Sequence, residues 1–240
     1  MRVNEEDRKA LASLKVKVTH HFDSLEEAVR ELSGLYSNQM IDLPLLDWQT
    51  NQPIGNRQIP RFLFRGESGV HPTTVSSRAR LEQKFADQKW TAQRQKMTDL
   101  IMYSAEVLSR LLRKPDPHEV VGFLQHYGLP TATMDLSGLL DVAAFFSSFG
   151  AADRVKLIAV IPVQSLIRHR RRLADLRGGQ LGERPDKQHA FVVFQQIDDD
   201  YKSAQTCGLL DVKWYSFLVT VHAISFGLGS FETIDYPIAL

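Results

Sequence analysis

The sequence predicts an α+β fold in which a helical N-terminal half packs on a mainly antiparallel sheet. Helical periodicity dominates residues 98–149. Branched and aromatic residues concentrate later, in 155–161, 190–194 and 214–222, as is typical of strands. Because helices come first and strands later, without an internal repeat, the pattern favours separate helical and sheet regions. The order of the strands is left open.

The composition predicts one compact domain. A chain of 240 residues with 43% apolar residues can bury a substantial core. Within it, we expect residues 1–60 to form a helical lead-in and an irregular segment, and residues 61–240 to form the main body. The formal net charge of +1 excludes a field over the whole molecule that would attract polyanions.

Two features of the sequence predict a cytoplasmic protein with no membrane partner. Residues 1–8 are too charged for a signal peptide, and the uncharged apolar runs are far shorter than a bilayer span. The single cysteine, Cys207, fits a reducing compartment and excludes both an intramolecular disulfide and a cysteine-based zinc site.

The first third of the chain contains one predicted helix and one predicted strand. Ser24 followed by Glu27 forms a capping box, which predicts a helix through residue 35. Three prolines in residues 38–60 predict irregular surface chain. Residues 61–64 then predict a short buried strand ended by Gly66, whose missing Cβ permits a sharp turn. That turn would expose Arg65 at the end of the strand.

Three helices are predicted in the middle of the chain, over residues 98–114, 118–127 and 137–149. Gly128 is expected to end the second helix in a left-handed conformation, and Ser137 to cap the third. Between them, residues 131–134 predict a short strand or extended loop. The apolar faces of the helices are Leu100, Tyr103, Val107 and Leu111; Val120, Leu124 and Tyr127; and Leu139, Val142, Phe146 and Phe149. A basic helix and a glycine loop are expected between the strands at 155–161 and 190–194.

Three segments resemble the FRG domain family. The first is Phe64-Arg65-Gly66, followed by Pro72 and Arg78. The second is the run Leu124–Thr131, followed by Asp135 and by Ala143–Phe146. The third is Arg184 with Gln188 and Phe191. The resemblance covers residues 61–195, and departures at Glu67, Ala132 and Leu136 bear on ligand preference rather than on membership.

The resemblance implies a bacterial or phage protein with a toxin-like or defence role, located in the bacterial or host cytoplasm. It also implies a fold related to ADP-ribosyltransferases, with NAD as the substrate. Under this hypothesis Arg65 anchors the NAD diphosphate, because its planar fork can meet two phosphate oxygens, and Gly66 lets the backbone approach the ligand. The alternative is that Arg65 makes a structural ion pair.

The remaining candidate residues each have a functional and a structural interpretation. Gln125, His126 and Thr131 would line the NAD site, Asp135 and Gln188 would face the ribose, and Arg184 would bind the cofactor. His126 would contact phosphate or act as an acid, and the expected catalytic residues are Arg65, His126, Asp135 and Gln188. Cleavage of the nicotinamide bond builds positive charge on the sugar, so the site needs a polar group near the ribose. Gln188 would orient the ribose without supplying charge, which argues against fast catalysis. Structurally, Gln125 and His126 would satisfy helix-end groups, and Asp135 would cap the next helix. Glu67 and Glu183 are further candidate carboxylates.

A second hypothesis is a noncatalytic module of the same fold that binds a nucleotide or nucleic acid. It rests on two observations: no obvious catalytic glutamate is found, and a basic cluster is formed by Arg168, Arg170, Arg171 and Arg172. A solvated helix face is the simpler interpretation of this cluster. A third is an interaction partner whose motif residues stabilise the fold, with a protein acceptor or regulator as its partner. The spacing of the histidines predicts no metal site.

Overall fold

The structure is a computed structural model of the chain. It describes residues 5–13, 22, 24–46, 52–69, 76–77, 91–111, 117–131, 133–149, 155–168, 172–178, 183–194, 220–225 and 233–234. The chain divides into two compact units. The first comprises residues 1–73, 137–169 and 212–240, and the second residues 74–136 and 170–211. Helices and antiparallel strands both occur, which confirms the α+β class.

The first unit begins with two helices, α1 (Glu5–Ser13) and α2 (Leu25–Tyr36). Ser24 caps α2 as predicted, because its Oγ accepts a hydrogen bond of 3.1 Å from the backbone N–H of Glu27. The inner face of α2 buries Ala28 and Leu32 completely. The cap and the apolar face together therefore fix where this helix begins and which side it buries.

Strands β1 (Met40–Leu46) and β2 (Pro53–Pro60) form an antiparallel hairpin in the first unit. The prediction that residues 38–60 are irregular was therefore wrong. Pro53 and Pro60 lie at the two ends of β2, and the third proline, Pro44, belongs to a two-stranded sheet in which each strand has only one neighbour. Proline is tolerated on such edge strands, because its missing N–H is not needed by a second neighbour.

The main sheet of the first unit is antiparallel and contains strands β3 (Phe62–Glu67), β5 (Val155–Pro162), β8 (Thr220–Ser225) and β9 (Thr233–Ile234). These strands pair in the order β3, β5, β8, β9. Gly66 pairs with Ile158 inside β3, so the prediction that it ends the strand and exposes Arg65 there was wrong. The part of the predicted strand 214–222 that precedes residue 220 lies outside the described residues.

Helix α5 (Leu140–Ser148) packs against β3 at Gly66. A Cβ built on Gly66 would lie 1.8 Å from the carbonyl oxygen of Ala143 and 2.7 Å from the backbone nitrogen of Ser147. The helix backbone therefore lies directly on the strand, which only a glycine permits. This approach requires a helix face of small residues, and Ala143, Ala144 and Ser147 are buried.

The apolar face predicted for α5 was the wrong one. Leu139, Phe146 and Phe149 are exposed, together with Phe145, because the small residues occupy the side that faces the sheet. The capping prediction also fails in detail: Ser137 is the last residue of a strand, and its Oγ accepts from the backbone N–H of Leu139 at 2.9 Å, one residue before the helix.

Two buried charged side chains join separate segments of the first unit. Lys156 on β5 is fully buried, and its Nζ donates to the carbonyl oxygens of Phe149 at 2.6 Å and Ser68 at 3.1 Å. The lysine thus lies at the C-terminal end of α5, where a cation is favoured. Asp7 of α1 is also fully buried and accepts a hydrogen bond of 2.8 Å from the backbone N–H of Val155.

The second unit contains helices α3 (Thr91–Leu111), α4 (Pro117–His126) and α7 (Glu183–Lys187) and strands β4 (Thr133–Ser137, whose last residue counts to the first unit), β6 (Arg172–Asp175) and β7 (Ala190–Phe194). β7 pairs with β6 and neighbours β4. Helix α4 packs on β6 and β7 with Val120, Gly122 and Leu124 buried. A Cβ on Gly122 would lie 2.6 Å from Val192 Cγ2, so this glycine lets the helix approach the strands.

Two predicted features of the second unit differ from the structure. The predicted column Leu100, Tyr103, Val107 and Leu111 on α3 is exposed, and so is Tyr127, whereas Ile101 is buried. The expected basic helix is α6 (Val163–Arg168), which belongs to the first unit and ends at Arg168, and Arg172 begins strand β6 instead. Burial alternates along residues 173–176, with Ala174 and Leu176 buried and the other two partly exposed. This period of two is typical of a strand.

None of the helices among the described residues has the length and the hydropathy needed to cross a membrane.

The contact at Gly66 leads to a stability prediction. Gly66→Ala will lower the free energy of unfolding by about 3 kcal/mol or more, because the new Cβ meets helix backbone rather than a side chain that can move. Urea denaturation followed by circular dichroism measures this change. Gly69→Ala is the matched control, since nothing lies within 4 Å of a Cβ built there. Equal stability of the two variants would contradict the backbone contact.

Candidate functional site

The candidate residues fall into two groups. Arg65 and Gly66 lie on β3 in the first unit. Six others belong to the second unit: Gln125, His126, Thr131, Asp135, Arg184 and Gln188.

Arg65 forms an ion pair with Glu67. The Arg65 Nε donates to Glu67 Oε1 at 3.1 Å, and only 13% and 5% of the two side chains are exposed. Because residues two apart in a strand lie on the same face, β3 itself places the two charges together. The structure therefore shows Arg65 in the structural ion pair that was the alternative to diphosphate binding. Gly66 makes the close backbone contact with α5.

The end of helix α4 determines where Gln125 and His126 lie. Gly128 has a φ of 90°, as predicted, and its N–H donates to the carbonyl oxygen of Gln125 at 3.0 Å. The N–H of Leu129 donates to the carbonyl oxygen of Leu124, also at 3.0 Å. These two bonds form a Schellman motif, which ends the helix in a defined geometry. The side chains of the last helical turn are thereby held in fixed directions.

The carboxamide of Gln125 is the centre of a hydrogen-bond network. Its Oε1 accepts from Thr131 Oγ1 at 2.7 Å, from Ser77 Oγ at 2.9 Å and from the backbone N–H of Thr131 at 3.1 Å. Its Nε2 donates to Asp135 Oδ2 at 3.3 Å. Gln125 thus ties together the segment around residue 77, the loop after α4 and strand β4.

The direction of these hydrogen bonds follows from the donors available. Thr131 Oγ1 receives the backbone N–H of Thr133 at 3.3 Å and lies 2.6 Å from Thr133 Oγ1. Because Thr131 gives its only hydroxyl proton to Gln125, the Thr133 hydroxyl must donate to Thr131. Protons therefore point along one path, from Thr133 to Thr131 to Gln125, and the Gln125 amide donates on to Asp135.

His126 lies between Gln188 and Asp135. Its Nδ1 is 3.0 Å from Gln188 Oε1, and its Nε2 is 3.9 Å from Asp135 Oδ1. Only 7% of the His126 side chain is exposed, whereas 36% of the Asp135 side chain is exposed. The buried Nε2 atom makes no hydrogen bond to any part of the chain that the structure describes. This arrangement places an imidazole next to a carboxylate that solvent can reach.

Asp135 lies inside strand β4 rather than in front of a helix. It therefore does not precede the helix as the capping interpretation requires, and the N-cap position of α5 is Leu139, which makes no side-chain cap hydrogen bond. Gln188 follows helix α7, and its backbone N–H donates to the carbonyl oxygen of Arg184 at 3.1 Å. The guanidinium of Arg184 lies 5.6 Å from the centre of the exposed Tyr127 ring. Arg184 is exposed, so its charge is available at the surface beside the last turn of α4.

Sequence reasoning missed Ser77 and Thr133, which complete the network around Gln125. Thr133 carries a readable signal, because residues 131 and 133 share a face of extended chain. Ser77 is 48 residues away from Gln125 in sequence, and nothing local marks it. Of the other candidate carboxylates, Glu67 binds Arg65, and the exposed Glu183 pairs with Lys187 at 2.7 Å.

The basic cluster lies largely outside the described residues. Arg170 and Arg171 are outside them, and for Arg168 and Arg172 the structure describes only the backbone, at the end of α6 and the start of β6. Within the described ranges, no group of three or more histidine, cysteine, aspartate or glutamate side chains is arranged to hold a metal ion.

The ion pair on β3 leads to a second prediction. Arg65→Met will lower the free energy of unfolding by about 3–5 kcal/mol, because it removes the cation beside the buried carboxylate of Glu67. Arg65→Met combined with Glu67→Met will recover most of this loss. A double-mutant cycle in urea measures the coupling. Lys187→Met breaks an exposed pair and serves as the control, with little expected effect; an equally small effect of Arg65→Met would contradict the prediction.

Comparisons with known proteins agree with the motifs in this part of the chain. Residues 60–154 match the FRG domain family model. That range contains Phe64-Arg65-Gly66, the end of α4 with Gln125 and His126, and Asp135. Neither the curated proteins nor the solved structures gave a match, so the relation to ADP-ribosyltransferases stays a prediction. The motifs and the family match together identify residues 60–154 as an FRG domain.

Proposed function

We propose that this FRG domain binds NAD, with Asp135 and His126 facing the ribose that carries nicotinamide. One observation carries the proposal: a carboxylate that is 36% exposed lies 3.9 Å from a buried imidazole nitrogen. Both belong to the segment that matches the family. A ribose offers hydroxyl groups, for which a carboxylate and an imidazole nitrogen are natural hydrogen-bond partners.

The Asp135 carboxylate suits the chemistry of the bond between ribose and nicotinamide. Cleavage of that bond builds positive charge on the sugar, as in glycoside hydrolysis, and a nearby carboxylate lowers the energy of that charge. The carboxylate must be held in place before the reaction, because moving it into position during the reaction would cost free energy. The hydrogen bond from Gln125 Nε2 to Asp135 Oδ2 supports such a fixed position.

The diphosphate of NAD requires a cation close to this cluster. The sequence assigned this role to Arg65, which pairs with Glu67 in the first unit. Arg184 is one helical turn before Gln188 and lies over Tyr127, the residue next to His126. Its exposed guanidinium can meet two phosphate oxygens at once. The residues present thus fit a ribose with an attached diphosphate, and NAD would supply the reactive bond to nicotinamide.

A protein that uses NAD in this way would transfer ADP-ribose to an acceptor or hydrolyse NAD. Either reaction would suit the toxin-like or defence role that the FRG resemblance implies. Hydrolysis consumes NAD, an essential cofactor, and transfer of ADP-ribose modifies an acceptor protein. We propose transfer to a protein as the leading activity and keep hydrolysis as the outcome when no acceptor is present.

A second candidate function is a noncatalytic nucleotide-binding module. This function is favoured because two of the predicted site residues form hydrogen bonds or ion pairs with other residues of the protein. Gln125 Oε1 accepts three hydrogen bonds from Ser77 and Thr131, and Arg65 is held by Glu67. A module of this kind would bind NAD without releasing nicotinamide.

The test is nicotinamide release and label transfer from labelled NAD, with and without cell lysate. Asp135→Asn keeps the size of the side chain and removes the negative charge, so we expect the rate to fall roughly 100-fold. Binding of NAD, measured by calorimetry, should change much less, because the charge acts mainly on the state in which the sugar becomes positive.

The matched control is Asp141→Asn, an exposed aspartate in the first turn of α5. It should keep the rate of the unchanged protein. Binding of NAD without nicotinamide release would favour the noncatalytic module. If calorimetry detects no NAD binding at all, the NAD proposal is wrong.

A further inference from the structure

The ring of His126 has two different nitrogen environments. Nδ1 lies 3.0 Å from Gln188 Oε1, an amide oxygen that can only accept a hydrogen bond. The proton of the neutral ring must therefore be on Nδ1 for this bond to form. In a neutral imidazole the other nitrogen then carries a lone pair and can only accept. The hydrogen bond to Gln188 thereby makes Nε2 a hydrogen-bond acceptor.

Nε2 of His126 is buried and makes no hydrogen bond to the described part of the chain. Its distance of 3.9 Å from Asp135 Oδ1 exceeds the range of a hydrogen bond. A buried polar atom without a partner costs free energy, and in native proteins such atoms commonly serve a ligand or a water molecule. This acceptor lies beside a carboxylate that is partly exposed, so a ligand can reach its neighbourhood.

The chain holds Gln188 in place by an unusual backbone conformation. His189, the next residue, has a φ of 43°, in the left-handed region that non-glycine residues seldom adopt. Its N–H donates to the carbonyl oxygen of Asp186 at 3.0 Å, while the N–H of Gln188 donates to Arg184. Strain of this kind persists where the surrounding structure requires a particular geometry. Here the turn directs the Gln188 side chain towards His126.

We propose that Gln188 is a positioning residue that keeps His126 in its Nδ1–H form, so that Nε2 is a hydrogen-bond acceptor for a hydroxyl group of a bound ligand. The sequence-based prediction placed Gln188 at the ribose itself; this inference gives it an indirect role through His126. It rests on the proposed function for one point only, the choice of the NAD ribose as the source of that hydroxyl.

The first experiment reads the protonated nitrogen directly and needs no ligand. The full chain is labelled with ¹⁵N in its eight histidines, and ring spectra are recorded at about pH 8.5, where a free imidazole is neutral. His126→Gln identifies the resonances of residue 126. We expect Nδ1 to give the signal of a protonated ring nitrogen and Nε2 that of an unprotonated one.

Two substitutions then separate a positioning role from a purely structural one. Gln188→Leu removes the acceptor, and we expect the Nε2–H form to gain population. Gln188→Glu keeps an acceptor oxygen and should preserve the Nδ1–H form. Gln164→Leu changes an exposed glutamine on α6 and should leave the His126 spectrum unchanged. A residue that only stabilised the fold would not move this equilibrium.

The second experiment measures NAD affinity by calorimetry. Gln188→Leu should weaken binding roughly fivefold to tenfold, the loss of about one hydrogen bond, and Gln188→Glu should weaken it less. A protonated Nε2 in the unchanged protein would overturn the inference, even if Gln188→Leu fails to fold. So would equal NAD affinity of the Gln188→Leu variant. If the spectra agree with the inference but no variant binds NAD, the proposed function fails and the tautomer assignment stands.

Discussion

The absence of a side chain at residue 66 is the constraint on which the first unit depends. A strand and a helix whose backbones touch, with 1.8 Å between a Gly66 Cβ position and Ala143 O, must both present small groups at that point. This requirement explains why α5 turns its alanines inward and its phenylalanines outward. It also gives Phe64, Arg65 and Gly66 three separate tasks: a buried core side chain, an ion pair with Glu67 and a close backbone contact. Packing and the ion pair therefore account for the Phe64-Arg65-Gly66 tripeptide without any ligand.

In the second unit, hydrogen bonds around the end of α4 fix the positions of the candidate site residues. The Schellman motif at Gly128 ends α4 so that Gln125 and His126 extend from its last turn, and Gln125 then fixes Thr131 and Asp135. The Gln125 oxygen accepts three hydrogen bonds and its nitrogen donates one to Asp135, which gives this residue a structural role. The partly exposed carboxylate of Asp135 lies 3.9 Å from the buried Nε2 of His126 beside this network.

The sequence was sufficient where a residue acts through its immediate neighbours. Ser24 and Glu27 predicted the start of α2, and Gly128 predicted the left-handed end of α4. It failed where burial depends on distant chain. The periodicity of α5 showed an almost wholly apolar helix, so only the contact with Gly66 decides which face is inside. The prolines of residues 38–60 suggested irregular chain, because a sequence does not show which strand lies at an edge. The candidate site followed the same rule: family motifs gave Gln125, His126 and Asp135, whereas Ser77 became visible only through its contact.

The oxygen of Gln125 has a consequence for how related sequences can change. It accepts three hydrogen bonds, two from the hydroxyl groups of Ser77 and Thr131 and one from the backbone N–H of Thr131. A basic or apolar side chain at position 125 would remove the oxygen that accepts from Ser77 and Thr131. A carboxylate would keep an acceptor but lose the donor to Asp135 and place two carboxylates side by side. Loss of the Ser77 or the Thr131 hydroxyl would remove a donor to Gln125, and loss of the Thr131 hydroxyl would also remove its contact with Thr133 on β4. Substitutions at positions 77, 125 and 131 should therefore arise together during evolution, and this triplet should covary more strongly than residues that are merely adjacent in sequence.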